Sequence, residues 1–176
     1  MLMIIDGELG DGELTRLCEL LELLDQKLYM IQTLISQSND SDSDGLCDTG
    51  EYFIGVGFVA IQQYLVDTLT FTGLDKRDAF KLGRFYSEGI TFIDLFNSAA
   101  NWWKHEAEWF DKGEVPKIGE NTFNHVKTVA KSDGYELSNV LASICGSSNL
   151  SIAAVMPYLK EWRAAIQREI SVRSKH

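Results

Sequence analysis

The stretch Asn101-Trp102-Trp103-Lys104-His105-Glu106-Ala107-Glu108-Trp109 holds three of the chain's four Trp and one of its three His. It closes a helical pattern that starts near Phe85. With 3.6 residues per turn, Phe85, Phe92, Phe96, Ala99 and Phe110 fall within about 40° of Trp103. Such a stripe predicts a core-facing side. Asp94, Asn97, Ser98, Asn101, His105 and Glu108 fall opposite it, and Trp102 and Trp109 edge this polar row. The spacing predicts one helix over residues 85–110, with a core on one side and a polar row bordered by aromatics on the other.

Outward from this helix, the periodic runs continue to read as helix. Residues 11–37 carry Leu14, Leu17, Leu21, Leu24, Leu28, Ile31 and Ile35 at three-four spacing, a core stripe that also suits a seam between helices or subunits. Residues 36–50 form an acidic loop. Residues 51–72 are apolar almost all round and predict the most buried helix, in which Gly55 and Gly57 permit a close neighbour. A short helix over 74–82 has Asp75 as its N-cap. Shorter helices over 122–131 and 136–145 follow, and a last one over 151–172 takes Pro157 in its first turns or at a kink. The row Phe71, Phe80, Phe85, Phe92 and Phe96 is assigned to the core. With two Pro and few strand-like alternations, the expectation is all-α. It is a single domain over residues 1–176, a bundle of four long helices plus two or three short ones.

Composition sets bounds. The apolar fraction is 45% and the mean hydropathy −0.10, ordinary for a globular chain. No apolar run reaches the ~20 residues of a membrane span, and the N-terminus lacks a basic leader, so a cytoplasmic protein without a membrane partner is expected. Cys18, Cys47 and Cys145 are odd in number and widely spaced, which suits free thiols. The net charge of −10 is uneven: residues 1–51 hold twelve acids against two bases, and the remainder balances. That field disfavours nucleic acid on the first third and would attract a cation or a basic partner. Between residues 160 and 176 the sign reverses, with Lys160, Arg163, Arg168, Arg173 and Lys175 against Glu161 and Glu169. His125 stands alone on a short helix and is read as structural.

Asn101 and His105, one turn apart, with Glu108 beyond, can share hydrogen bonds. This Asn-to-His run, late in a long helix, resembles the signature of the HEPN family (higher eukaryotes and prokaryotes nucleotide-binding domain). The resemblance implies a helical bundle that dimerises and sets two motifs across a shared cleft. It also implies RNA or nucleotide as ligand, with active members acting as metal-independent ribonucleases in toxin–antitoxin or phage-defence systems. His105 would then be the general acid/base, with Asn101, Lys104 and Glu108 lining the cleft. The family's Arg falls at Ala100, or at Ala99 or Ser98 with longer spacing, so Lys104 is the nearby cation and the expected activity is that of a degenerate relative.

A second pattern runs from Asp40 to Glu51 and fits D-x-D-x-D-G-x5-E, the EF-hand calcium loop. Asp40, Asp42 and Asp44 would give carboxylate oxygens, Leu46 a backbone carbonyl, Asp48 a direct or water-borne contact, and Glu51 a bidentate one. Gly45 would allow the sharp turn. The sequence thus carries three expectations: an RNA- or nucleotide-associated HEPN-like protein, a calcium-binding helix–loop–helix protein, and a non-enzymatic protein whose acidic first third docks a basic partner.

Overall fold

The structure, a computed structural model, describes residues 2–5, 8–70, 72–146 and 149–173, with side chains from residue 11 onward. Phe71 and Lys175, assigned above to the core and to the basic end, lie outside the described residues. The chain is all-α. Among the described residues, four long helices are α1 (Gly12–Gln37), α2 (Leu46–Leu69), α4 (Phe92–Lys112) and α7 (Met156–Arg173). Three shorter ones are α3 (Lys76–Phe80), α5 (Glu120–Ala130) and α6 (Glu136–Cys145). Two small antiparallel hairpins accompany them: β1 (Leu2–Ile5) with β2 (Glu8–Asp11), and β3 (Phe85–Ser87) with β4 (Ile90–Thr91). A 3-10 turn, Ile152–Val155, leads into α7, and Pro157 sits in that helix's first turn, where its missing N–H has no helical partner.

α2 packs against both α1 and α4, and α5 packs against α4 and α6. By length and composition α2 would pass for a membrane span, and here it lies between two other helices. Its glycines are used for contact. A Cβ on Gly55 would stand 2.2 Å from the Trp103 ring, and one on Gly57 would stand 2.7 Å from Ile152. α4 therefore lies close enough for Trp103 to rest on bare backbone.

The helix over residues 85–110 needs correcting. Residues 85–91 are a hairpin, turned at Gly89 with φ +77°. α4 begins only at Phe92, where the Thr91 side chain accepts the Asp94 N–H at 3.0 Å. Phe85 is 60% and Phe110 68% exposed, so neither is core. Trp102 and Trp109, expected to edge the polar row, are buried, and so is Ser98. The reason is that α4 has several neighbours, α7 among them, whose Tyr158 stacks on Phe92. α2 covers the Trp103 side and α5 another, so the buried arc is wider than one stripe.

Carboxylates from the first third hold distant elements in place. Asp11 caps α1 by accepting the Leu14 N–H, and its other oxygen takes the Tyr64 hydroxyl at 2.9 Å and Arg163 Nε at 3.2 Å. Asp25 of α1 accepts the N–H groups of Ile152 and Ala153 and the Ser151 hydroxyl, closing the start of the 3-10 turn. His125 meets buried Ser98, Nδ1 to Oγ, at 3.0 Å.

Candidate functional site

The polar row of α4 divides into two parts. Asn101 Oδ1 and Asn97 Oδ1 each accept a hydrogen bond from Gln62 Nε2 of α2 at 2.9 Å, and Lys104 Nζ donates to Gln62 Oε1 at 2.7 Å. These residues bind α4 to α2. Burial, with the charge of Lys76, lowers the Lys104 pKa. Sequence reasoning passed over Gln62, because a lone Gln in an apolar helix has no local signature. Its signal lies in Asn97 and Asn101, two amides one turn apart.

His105 and Glu108 form the other part. The His105 side chain is about half exposed, its Nδ1 lies 3.8 Å from the Glu108 carboxylate, and its ring stacks on Trp109. Glu108 also accepts from Lys112 at 2.5 Å, and that contact holds its carboxyl below the usual range. His105 thus pairs with Glu108, while Asn101 is bonded to Gln62. The three positions that could carry the family's Arg, Ala100, Ala99 and Ser98, are all buried. A cation there would point into the core.

The residues of the 40–51 loop are engaged separately. Asp40 accepts the Ser43 N–H and hydroxyl, which lower its pKa. Asp44 accepts the Ser38 hydroxyl at 2.6 Å, and Asp42 accepts the Tyr135 hydroxyl. Gly45 turns with φ +67°, and α2 starts at once, so Leu46, Asp48 and Glu51 are helical. Glu51 accepts the Leu137 and Ser138 N–H groups at 2.7 and 2.8 Å and the Ser138 hydroxyl at 2.6 Å. Among the described residues no three His, Cys, Asp or Glu side chains lie together as a metal site.

A feature not drawn from sequence lies on α1. Leu17, Leu21, Leu24, Leu28 and Ile31 face the core. Beside them a second apolar line, Leu20, Leu23, Met30 and Leu34, is exposed, with Lys27 set within it. Its spacing of three and four residues is visible in the sequence, but the first stripe hides it. A shallow groove bordered by Glu22, Gln26, Tyr29 and Met30 runs along the helix at its margin. α1 lies on α2, which separates this line from the α4 row.

Compared with family models, curated proteins and solved structures, the chain matches none.

Proposed function

We propose that this is a non-enzymatic interaction protein and that the outer line of α1 docks a basic amphipathic helix. The observation that carries this reading is the exposed row Leu20, Leu23, Met30 and Leu34. Apolar side chains at such spacing form seams between helices, and a folded domain seldom leaves one uncovered. Charge selects the occupant. Glu19 and Glu22 border the row, and the chain carries −10 overall. A second copy would bring like charge against like, whereas a basic helix is attracted. Lys27 adds its aliphatic stem to the row.

The test uses a synthetic Leu/Lys amphipathic helix, its Leu/Glu twin, calorimetry at low and high salt, and light scattering. The Leu/Lys peptide is expected to bind one to one, more weakly in salt, and not to the Leu23→Ser/Met30→Ser variant. Equal binding to that variant overturns the reading, because charge alone would then suffice. A dimer of the parent protein that the same variant abolishes also overturns it, by showing a second copy on the face.

A second reading is RNA binding or cleavage by the α4 row, as the HEPN resemblance implies. It is supported by the half-exposed His105 with a carboxylate 3.8 Å away, an arrangement suited to acid–base work. Against it, Lys112 is paired with Glu108, and Lys104 is turned to the Gln62 amide of α2. RNA cleavage abolished by His105→Ala would favour it over docking; no cleavage by either protein would remove the catalytic form.

A further inference from the structure

A half-open cleft of about 280 Å³ lies between α4 and α5. Its walls include the rings of Trp102, Trp109, Phe110 and Phe123, and two carboxylates, Glu106 and Glu114, reach it. Trp102 is the central ring. It meets Trp109 edge-on at 6.1 Å, Phe110 edge-on at 6.5 Å and Phe123 at a tilt at 5.8 Å. Gly119 leaves room for Trp109, since a Cβ there would stand 2.8 Å from the ring.

The cleft holds one unpartnered polar atom and one half-buried carboxylate near other acids. Trp102 is 1% exposed, and its Nε1 has no hydrogen-bond partner among the described residues. Burial raises the Glu106 pKa, and the charges of Glu136 and Glu51 add to the rise. The Trp102 N–H pulls the other way, though no hydrogen bond of ordinary geometry joins the two. A ligand that relieves both groups must bring positive charge to Glu106 and an acceptor to Trp102.

The negative faces of the rings and the carboxylates exclude an anion. A plain hydrocarbon would leave the Trp102 N–H unpaired and desolvate Glu106 further. A compact organic cation fits, because aromatic faces attract it and a methylated ammonium is easily desolvated. Trp102 already takes one cation: Lys127 Nζ lies 5.4 Å from its ring centre. That lysine does not line the cleft and is held by Glu136 at 2.8 Å and Asp133 at 2.7 Å.

We propose that the cleft binds a small methylated ammonium compound bearing an oxygen acceptor, with the ammonium against the rings and Glu106 and the oxygen on the Trp102 N–H. The site is separate from the outer line of α1, and its test does not depend on that surface.

The experiment titrates the full chain with choline and follows the indole N–H resonances of its Trp residues by NMR. Those of Trp102 and Trp109 are expected to shift. That of Trp162, bonded to the Ala79 carbonyl at 2.8 Å, is expected to stay and serves as the fold control. The uncharged isostere of choline, with carbon in place of nitrogen, is expected to bind about tenfold more weakly. Glu106→Gln and Phe110→Ala should each weaken choline by about tenfold, the latter by removing a wall that is mostly exposed and carries no core. Absence of a shift up to about 10 mM choline, equal binding of the isostere, or full binding by both variants overturns the proposal.

Discussion

Glu51 of α2 and Ser138 of α6 are joined twice, the carboxylate accepting both the N–H at 2.8 Å and the hydroxyl at 2.6 Å of the same serine. The residue before α6, Tyr135, is left-handed (φ 53°) and supplies no side-chain cap. α2 therefore provides from a distance what the local sequence lacks. Glu51→Ala should cost about 2–4 kcal/mol, because the Leu137 and Ser138 N–H groups both lose their acceptor. Ser138→Ala, which leaves both N–H bonds, should cost about 1 kcal/mol. Urea unfolding measures both. With Glu51 so engaged, millimolar calcium is expected to leave the melting temperature unchanged, and a calcium-dependent rise lost in Asp40→Ala would restore the calcium reading.

Asp11 joins three helices. It caps α1, takes the Tyr64 hydroxyl of α2, and pairs with Arg163 of α7, where the two charged side chains are 16% and 12% exposed. Removing one member of a largely buried pair leaves the other unpaired. Asp11→Ala is expected to cost about 3–5 kcal/mol, more than a surface cap would. Tyr64→Phe should cost about 1 kcal/mol. Chemical denaturation of the two variants should give that order.

Gly55 accommodates the Trp103 ring. On an open helix, replacing Gly by Ala gains up to about 1 kcal/mol. Here the added methyl would lie 2.2 Å from the indole, and Trp103 is also packed edge-on against Tyr52 at 5.3 Å. Gly55→Ala is expected to destabilise by about 1–3 kcal/mol. Adding Trp103→Leu should recover part of that loss in a double-mutant cycle.

His125 gives stability a pH dependence. Burial lowers its pKa from 6.5 in the folded state, against a small upward pull from Asp94. As pH falls through 6.5 the unfolded chain takes the proton first, so this group's contribution is complete above 6.5 and is lost as pH drops toward the folded value. Melting curves should show stability falling below pH 6.5, with a shallower fall in His125→Gln.

Local chemistry marked some elements well. α6 occupies residues 136–145 as expected, because Ser132-Asp133-Gly134 precedes it and Gly146 ends it. α3 starts where Asp75 can cap it, accepting the Arg77 and Asp78 N–H groups. The hairpin at residues 85–91 was hidden because Phe85 and Ile90 suit either period and only Gly89 marks the turn. The facing of α4 was hidden because a helical wheel gives one stripe, while several neighbours bury a wider arc. At the cleft, the sequence set Trp102 and Trp109 on one edge of α4 but put Phe110 with the core and passed over Glu106, and Phe123, from another helix, left no signal. Glu51 closing a helix 86 residues away leaves no trace in its own neighbourhood.

Three of the long-range carboxylates also bear on the order in which the chain can assemble. Glu51 waits for Leu137, Asp25 for Ile152, and Asp11 for Arg163, across 86, 127 and 152 residues. A nascent chain grows from its N-terminus, so α1 and α2 are synthesised before Leu137, Ile152 and Arg163. Contacts of such separation form slowly and leave partly folded surface exposed meanwhile. Until Arg163 has emerged, Asp11 lacks its charged partner, in a first third whose like charges repel the same segment of neighbouring chains.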